Sequence, residues 1–388
     1  MRQELPEQTE KDGLFEFFLV VTPGLEQIAA WEFGQWHPGR EVRVERGGLT
    51  VHLPLDLGLS LNRKLKAPTR ILVRLSEFTC REFPKLFRKV STFPWEKWVS
   101  EPIEFKASSH RSRLRIKKRI EDVCADAFRA RFKKQGRQLT ESKEKEEAVS
   151  ALVRFEDDVC VLSLDTSGVL LHKRGFKDFS TEAPIRETMA AAVLLMMEKA
   201  AGELGLELPV ELLDPMSGSG TFLLEGACLE KSLSNRTFAF ERFVNAPEEL
   251  PGPEARREAT LFTSLIGFET DSDACAAAKK NFESISRKIT LVNQDVFQAE
   301  ELSTGVRRWV VTNPPYGERL KVKGPLSKYY ESLFEAVERV AKPELAAFVL
   351  PVKAQPERLK KPRHWRTVSR VRFLNGGIPV MVCLFRRQ

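Results

Sequence analysis

From about residue 180 onward, short apolar runs alternate with helical patterns, and this alternation restricts the fold more than any other feature of the chain. A helical pattern from Pro184 to Leu204 precedes a first strand, Val210 to Leu213, which runs into a glycine-rich turn and a helix from Thr221. A second strand, Leu265 to Glu269, leads into a helix through Ala274 and Ala278. Further strands are expected at Ile289 to Val292, Trp309 to Thr312 and Leu345 to Leu350. Strands this short, each followed by a helix, predict a parallel sheet covered by helices on both faces. The end differs. Val371 to Leu374, the Asn375-Gly376-Gly377 turn and Val380 to Leu384 predict a closing antiparallel hairpin.

The first half reads as smaller α/β units. Phe15 to Val21 is strand-like, Thr22-Pro23-Gly24 turns, and Leu25 to Phe33 has helical spacing. Further strands are expected near Gly47 to Val51 and Arg70 to Leu75, and a basic amphipathic helix from Phe83 to Phe93. Phe105 to Ser109 leads into the basic run Arg111 to Arg119, with helical pattern through Phe128. Glu141 to Glu147 is a charged, solvated connection. With 388 residues the chain can build two or three cores.

Composition removes several classes. The longest apolar run, Met189 to Met197, is nine residues, against about 20 for a bilayer span. The N-terminus has no apolar signal segment, and six scattered cysteines without a CxxC pair fit reduced thiols, so a cytoplasmic protein without a metal site is expected. Charge is uneven. Residues 81–140 hold 17 Lys/Arg against 7 Asp/Glu and residues 351–388 hold 10 against 1, while the rest of the chain is acidic although the net is +8. Two basic blocks, one beside Phe83, Phe87, Phe93, Trp95 and Trp98, favour a nucleic-acid partner over merely solvated helix faces. Arg113, Lys117 and Lys118, with Lys360, Lys361 and Arg363, are the candidate phosphate contacts.

The loop Asp214-Pro215-Met216-Ser217-Gly218-Ser219-Gly220-Thr221 lies between strand and helix, where glycines let backbone approach a ligand. A dinucleotide or S-adenosylmethionine could use such a turn. The dinucleotide fingerprint fails, because its third glycine would fall at Leu223 and its acidic residue about 20 residues on, whereas the next strand ends at Glu269. Asp214 at the mouth would repel a pyrophosphate and attract a cation. Glu269-Thr270-Asp271 can supply a carboxylate to ribose hydroxyls, although Asp271 also suits a helix cap. Asp295 after the third strand is placed for an adenine amino group, with Val296 and Phe297 packing on the ring.

Thr312-Asn313-Pro314-Pro315-Tyr316-Gly317-Glu318-Arg319-Leu320 closes the fourth strand. Two prolines fix φ and remove two N–H groups, so the Pro314 carbonyl can be held outward. If the Asn313 side-chain oxygen and that carbonyl each accept one N–H of an exocyclic amine, the nitrogen loses planarity and its lone pair becomes available for in-line attack on a sulfonium methyl. Tyr316 offers a face on which an extruded base can stack. No strong base is required, because the product ammonium releases its proton readily.

These residues resemble the THUMP-domain class I RNA methyltransferases, in particular the bacterial branch that methylates guanine N2 in 23S ribosomal RNA. Pro23-Gly24-Leu25-Glu26 resembles the family's N-terminal ferredoxin-like unit, and Arg70 through Arg119 its THUMP module. Asp165-Thr166-Ser167-Gly168, His172-Lys173-Arg174-Gly175-Phe176 and Ala183-Pro184-Ile185-Arg186-Glu187-Thr188 match its junction; the resemblance implies that the last segment, with Pro184 and Thr188, folds over the methionine end of the cofactor. Asn375-Gly376-Gly377-Ile378 resembles its terminal hairpin. Ser217 stands where cysteine is frequent and Glu269 where aspartate is usual.

The resemblance implies three parts: a ferredoxin-like unit over 1–68, a THUMP RNA-binding domain over 69–172, and a Rossmann-like methyltransferase domain over 173–388. Because the hairpin lies close to residue 388, a single methyltransferase module is expected, and with it only the amine-directed activity. The expected cofactor contacts are Pro184, Thr188, Asp214, Met216, Ser217, Gly218, Ser219, Gly220, Thr221, Glu269, Thr270, Asp271, Asp295, Val296 and Asn313, and the catalytic residues Asn313, Pro314, Pro315 and Tyr316. The expected activity is formation of N2-methylguanosine by a monomer on 23S rRNA, free or in a pre-ribosomal particle. Guanine-N2 methylation of tRNA, DNA adenine-N6 methylation, and a non-catalytic RNA-binding assembly factor are the rival readings.

Overall fold

The computed structural model describes residues 7–8, 10–11, 13–137, 139, 149–175, 177, 185–233, 236–252, 255–257, 259–283, 285–318 and 324–388. The charged connection expected at Glu141 to Glu147, as well as Phe176, Ala183, Pro184, Arg319 and Leu320, lies outside the described residues.

The first sheet is built from β1 (Glu7–Gln8), β2 (Glu10–Lys11), β3 (Leu14–Val20), α1 (Glu26–Trp36), β4 (Arg43–Glu45), β5 (Gly48–Leu53), α2 (Leu55–Lys64) and β6 (Arg70–Thr79). It continues through α3 (Phe83–Thr92), β7 (Glu104–His110), α4 (Lys117–Lys134), β8 (Ser150–Glu156) and β9 (Val159–Asp165). The strands order β4-β5-β3-β6-β9-β8-β7, with β1 on β6 and β2 on β3. Within it, β3-α1-β4-β5-α2-β6 has the βαββαβ connectivity of a ferredoxin-like unit. The division expected between 68 and 69 marks no break in this sheet. It falls just before β6, which pairs with β3 along one edge (Phe17 opposite Val73) and with β9 along the other (Val73 opposite Leu164). A strand whose two edges are both in use belongs equally to the unit it closes and the unit it opens.

The second sheet follows α5 (Glu187–Glu203) and contains β10 (Val210–Asp214), α6 (Thr221–Cys228), β11 (Phe262–Glu269), α7 (Ser272–Glu283) and β12 (Ile289–Asn293). It goes on through β13 (Arg308–Thr312), α8 (Leu326–Ala341), β14 (Leu345–Pro351), β15 (Trp365–Asn375) and β16 (Ile378–Arg387). The order is β12-β11-β10-β13-β14-β16-β15, parallel from β12 to β14 and antiparallel at the last two pairings. All five residues of β10 and all five of β13 are buried, which is why neither strand shows the in–out alternation of a half-exposed one, and their buried Glu211 and Arg308 pair with each other. Successive strands build away from β10 in both directions, so the crevice at its carboxyl end is a topological switch point, where open α/β sheets take their ligands.

The two sheets share one apolar cluster, which runs from Phe17 and Phe33 through α5 to Val382 and Leu384. Polar links cross the same boundary. Arg174, fully buried, pairs with Glu225 of α6 at 3.1 Å and donates to the Lys66 carbonyl at 2.7 Å, so the helix that starts at the glycine loop is tied to the N-terminal half. Partly buried Arg242 pairs with Glu101 at 2.6 Å. Among the described residues no helix is long and apolar enough to cross a membrane.

The turn Thr22-Pro23-Gly24 packs directly on β15. Gly24 has φ +100°, and a Cβ there would lie 2.0 Å from the Arg372 carbonyl oxygen, a contact backbone cannot vacate cheaply. Gly39 has a comparable φ of +77° with nothing within 4 Å of its Cβ position. Gly24→Ala should therefore destabilise the chain by about 2 kcal/mol more than Gly39→Ala, whose cost of about 1 kcal/mol is conformational alone. Urea denaturation of the two variants checks this, and equal losses would contradict the packing.

Candidate active site

Neighbouring carboxyl ends of β10 and β13 carry the two loops singled out by the sequence. Leu213 stands opposite Val310, so Asp214 is level with Val311, and Asn313 projects two residues beyond it on the adjacent strand. At the other end of the same strands, the buried pair Arg308–Glu211 and the 2.7 Å bond from the Ser264 hydroxyl to Glu211 hold the register. Slippage by one residue would separate that pair and leave both charges buried without a partner.

The glycine loop is built from backbone bonds. Ser217 N–H donates to the Phe268 carbonyl at 2.9 Å and Gly220 N–H to the Ser217 carbonyl at 2.8 Å, with Gly218 at φ +53° and Gly220 at φ +82° opening α6. Asp214, 2 % exposed, accepts from Met216 N–H at 3.1 Å. Burial pushes its carboxyl up to about 7, against the opposing pull of that N–H and the Thr312 hydroxyl, and the negative Glu269 adds to the rise. A buried acid in this state wants a cation. Two further buried hydroxyls, Thr188 Oγ1 and Ser219 Oγ, have no hydrogen-bond partner among the described residues. Such orphans are uncommon in folded interiors and mark where a ligand's polar groups can be received.

The expected contacts separate on inspection. Glu269, at the end of β11, receives Gly218 N–H at 2.7 Å on one oxygen and the N–H groups of Thr270 and Asp271 on the other, both at 2.9 Å. A carboxylate has about four acceptor positions, so room remains for one more donor. Asp271 caps α7 instead, receiving Asp273 and Ala274 N–H at 2.8 and 3.0 Å, and Thr270 is exposed. Asp295, after β12, accepts from Phe297 N–H at 2.9 Å, and its charge helps burial push the Tyr329 phenol up to about 12. Val296 is a core residue at 1 % exposure, in one apolar cluster with Leu213 and Phe268. Phe297 stacks obliquely on Tyr329 at 5.6 Å.

The loop 313–316 is pinned from two elements. Tyr330 of α8 donates to the Pro315 carbonyl at 2.7 Å. Asn375, at the end of β15, donates to the Tyr316 phenol oxygen at 3.1 Å, and that phenol donates to Asn313 Oδ1. No donor among the described residues reaches the Pro314 carbonyl. The neighbouring Tyr329 reaches Met216 Sδ at 3.4 Å, so consecutive residues of α8 touch the two loops. Tyr316 is thus half-buried with its hydroxyl engaged. Sequence reasoning missed Tyr329, Tyr330 and Asn375 as site residues, as well as buried Lys177, which donates to Thr221 Oγ1 at 2.7 Å and pairs with Glu187 at 3.1 Å. Only Asn375 carried a signal, the turn motif that follows it.

The basic candidates lie on separate units. Arg113, Lys117 and Lys118 are exposed at the start of α4, where Lys118 pairs with Asp122 at 2.9 Å, and Arg119 covers the Phe83 ring at 4.2 Å. Lys360, Lys361 and Arg363 precede β15 in the second sheet.

A seven-stranded sheet with this order, Asn-Pro-Pro-Tyr at the end of its central strand and a glycine loop on the strand beside it define a methyltransferase. The chain belongs to UPF0020, whose RMKL-like methyltransferase domain matches residues 174–378. Among curated relatives, the ribosomal RNA large subunit methyltransferase K/L of Syntrophotalea carbinolica is 28% identical over 84% of this chain and 47% of its own length. The K/L protein of Marinobacter nauticus is 26% identical over 96% of this chain and 53% of its own, so the chain spans about half the length of these relatives. A Synechocystis sp. protein, provisionally named RNA methyltransferase slr0064, is 26% identical over 94% of both chains. Among solved structures the fold is shared with SMU.472 in complex with SAH (TM-score 0.79, 23% identity, 97% of this chain and 99% of that one). It is also shared with TrmN from Thermus thermophilus (TM-score 0.68, 16% identity, 96% and 100%).

The Asp214 carboxyl has a pH consequence. Unfolded it titrates near 3.8, so between pH 4 and pH 7 the folded chain keeps a proton the unfolded chain has lost, and stability falls as pH rises through that window. Asp214→Asn should remove a decline of up to about 4 kcal/mol over that range. Parallel pH dependence of the two proteins in chemical denaturation would contradict the assignment.

Proposed function

We propose that this chain is an S-adenosylmethionine-dependent RNA methyltransferase that forms N2-methylguanosine, with large-subunit ribosomal RNA as its substrate. The observation that carries the reading is that Asn313, and a Pro314 carbonyl without a donor among the described residues, follow the strand next to the one that ends at Asp214. The K/L relatives support the rRNA assignment through their names, and the basic stretches on both units support a polyanionic substrate.

The cofactor supplies an electrophilic methyl group on a sulfonium sulfur. Asp214 would hold its cationic end, and in doing so the carboxyl would ionise. Thr188 Oγ1 and Ser219 Oγ would satisfy polar groups of the methionine portion, together with Pro184. Met216, Ser217, Gly218, Gly220 and Thr221 would follow its contour. Glu269 would take a ribose hydroxyl on its remaining acceptor position, and Asp295 the adenine amine. Thr270, Asp271 and Val296, given their exposure, capping and core packing, act on this site only by holding their neighbours.

Asn313 Oδ1 and the Pro314 carbonyl each accept one N–H of the guanine amine. Held this way, the nitrogen pyramidalises and its lone pair can bond to the methyl carbon as the carbon–sulfur bond breaks. The resulting ammonium releases its extra proton to water. Tyr316 keeps the Asn313 oxygen turned toward the amine.

Asn313→Ala should lower kcat by about 10³-fold or more while dissociation constants for RNA and cofactor change little, since the lost acceptor acts on the reacting amine. Near-normal turnover would refute the role. Separately, Lys117→Ala with Lys118→Ala should reduce the slope of log binding constant against log salt by about 1 to 2 without altering the base modified. An unchanged slope would remove that helix end from the RNA contact.

A further inference from the structure

We propose that Asn375, outside both sequence motifs, is a positioning residue for methyl transfer: it sets the direction of a hydrogen-bond chain, Asn375 to Tyr316 to Asn313, and so determines which atom of the Asn313 amide faces the substrate. The inference rests on the reading of Asn313 as the acceptor for the amine.

A phenol has one proton and accepts through its oxygen. The Tyr316 oxygen receives Asn375 Nδ2–H at 3.1 Å, and its single proton goes to Asn313 Oδ1. Burial pushes the phenol up to about 12, so it keeps that proton across the working range. With one lone pair of Oδ1 occupied by the phenol, the other remains for a substrate N–H. Take the Asn375 donor away and the phenol oxygen becomes free to accept from the Asn313 amide nitrogen instead. The amide could then turn over and present N–H groups to an amine that itself donates, which is a repulsive pairing.

The fold holds Asn375 firmly enough for this task. It is 7 % exposed, the last residue of β15, and paired with Ile378 across a two-residue turn. Gly376 and Gly377 have φ of +57° and +88°, the mirror-image turn that matches strand twist and fixes hairpin register. Three residues earlier, the Arg372 carbonyl is packed against Gly24 of the N-terminal unit. Two contacts, one from each half of the chain, therefore set where the Asn375 amide sits.

The test is a double-mutant cycle on the full chain with RNA and cofactor. Asn375→Leu, similar in size and without a donor, should lower kcat about tenfold or more with both KM values within about twofold. Tyr316→Phe should cost a similar factor, and the double variant no more than Tyr316→Phe alone, because Asn375 acts through the phenol. If Asn375→Leu does not fold, Asn375→Asp keeps the shape and lacks the donor, with the same expectation. Wild-type kcat in either Asn375 variant, or losses that multiply in the double variant, would overturn the proposal. Asn313→Ala assayed alongside separates the two ideas: full activity there removes the reading of Asn313, whereas an inactive Asn313→Ala beside a fully active Asn375→Leu removes this inference alone.

Discussion

Register between β10 and β13, with Glu211 opposite Arg308 and Leu213 opposite Val310, places the two chemical loops side by side. Each loop is ordinary in isolation: a tight strand-to-helix turn with an acidic residue, and a proline-rich strand exit. Their adjacency creates a site with a buried acid at one side and two hydrogen-bond acceptors at the other. The Arg308–Glu211 pair, far from the chemistry, protects that adjacency. A buried ion pair contributes little net stability but penalises every alternative register. The opening at the carboxyl ends follows from the parallel order, since every strand in the run from β12 to β14 delivers its last residues to the same edge.

The closing hairpin has a larger part than terminating the sheet. β15 touches the Thr22-Pro23-Gly24 turn of the N-terminal half at Arg372 and the Asn-Pro-Pro-Tyr loop at Asn375. A second link runs from the Lys66 carbonyl through Arg174 and Glu225 to α6, the helix that begins at the glycine loop. The N-terminal half is thus joined to both walls of the site by short contact paths, of which the one through Arg174 and Glu225 is buried.

Much of this was legible before the structure. The β10, β13 and β14 runs stood out because strands buried on both faces lack polar alternation, β11 and β12 because short apolar runs sit before helical or turn patterns, and the Asn375-Gly376-Gly377 turn announced the hairpin. Other elements were silent for physical reasons. α2 contains Gly58 where a helix former would be expected, because the Phe17 ring occupies the place of its Cβ, at 1.9 Å. β8 and β9 form a hairpin around Asp157 and Asp158, two positive-φ residues without a glycine signal. At the site, residue types announced Asp214, Glu269, Asp295 and Asn313, but a sequence cannot say which carboxylate faces an opening and which caps a helix, as Asp271 does. Nor could it show that Tyr329, Tyr330 and Asn375 converge from α8 and β15 on loops remote in the chain.

The proposed function turns on one chemical step, methyl transfer at the carboxyl ends of β10 and β13 to an amine that Asn313 and Pro314 would hold. Incubating the protein with large-subunit rRNA and methyl-labelled S-adenosylmethionine, then digesting the RNA to nucleosides for mass spectrometry, asks which atom receives the label. This account predicts label on the exocyclic nitrogen of guanosine. Label on a ring atom or a ribose oxygen would contradict it.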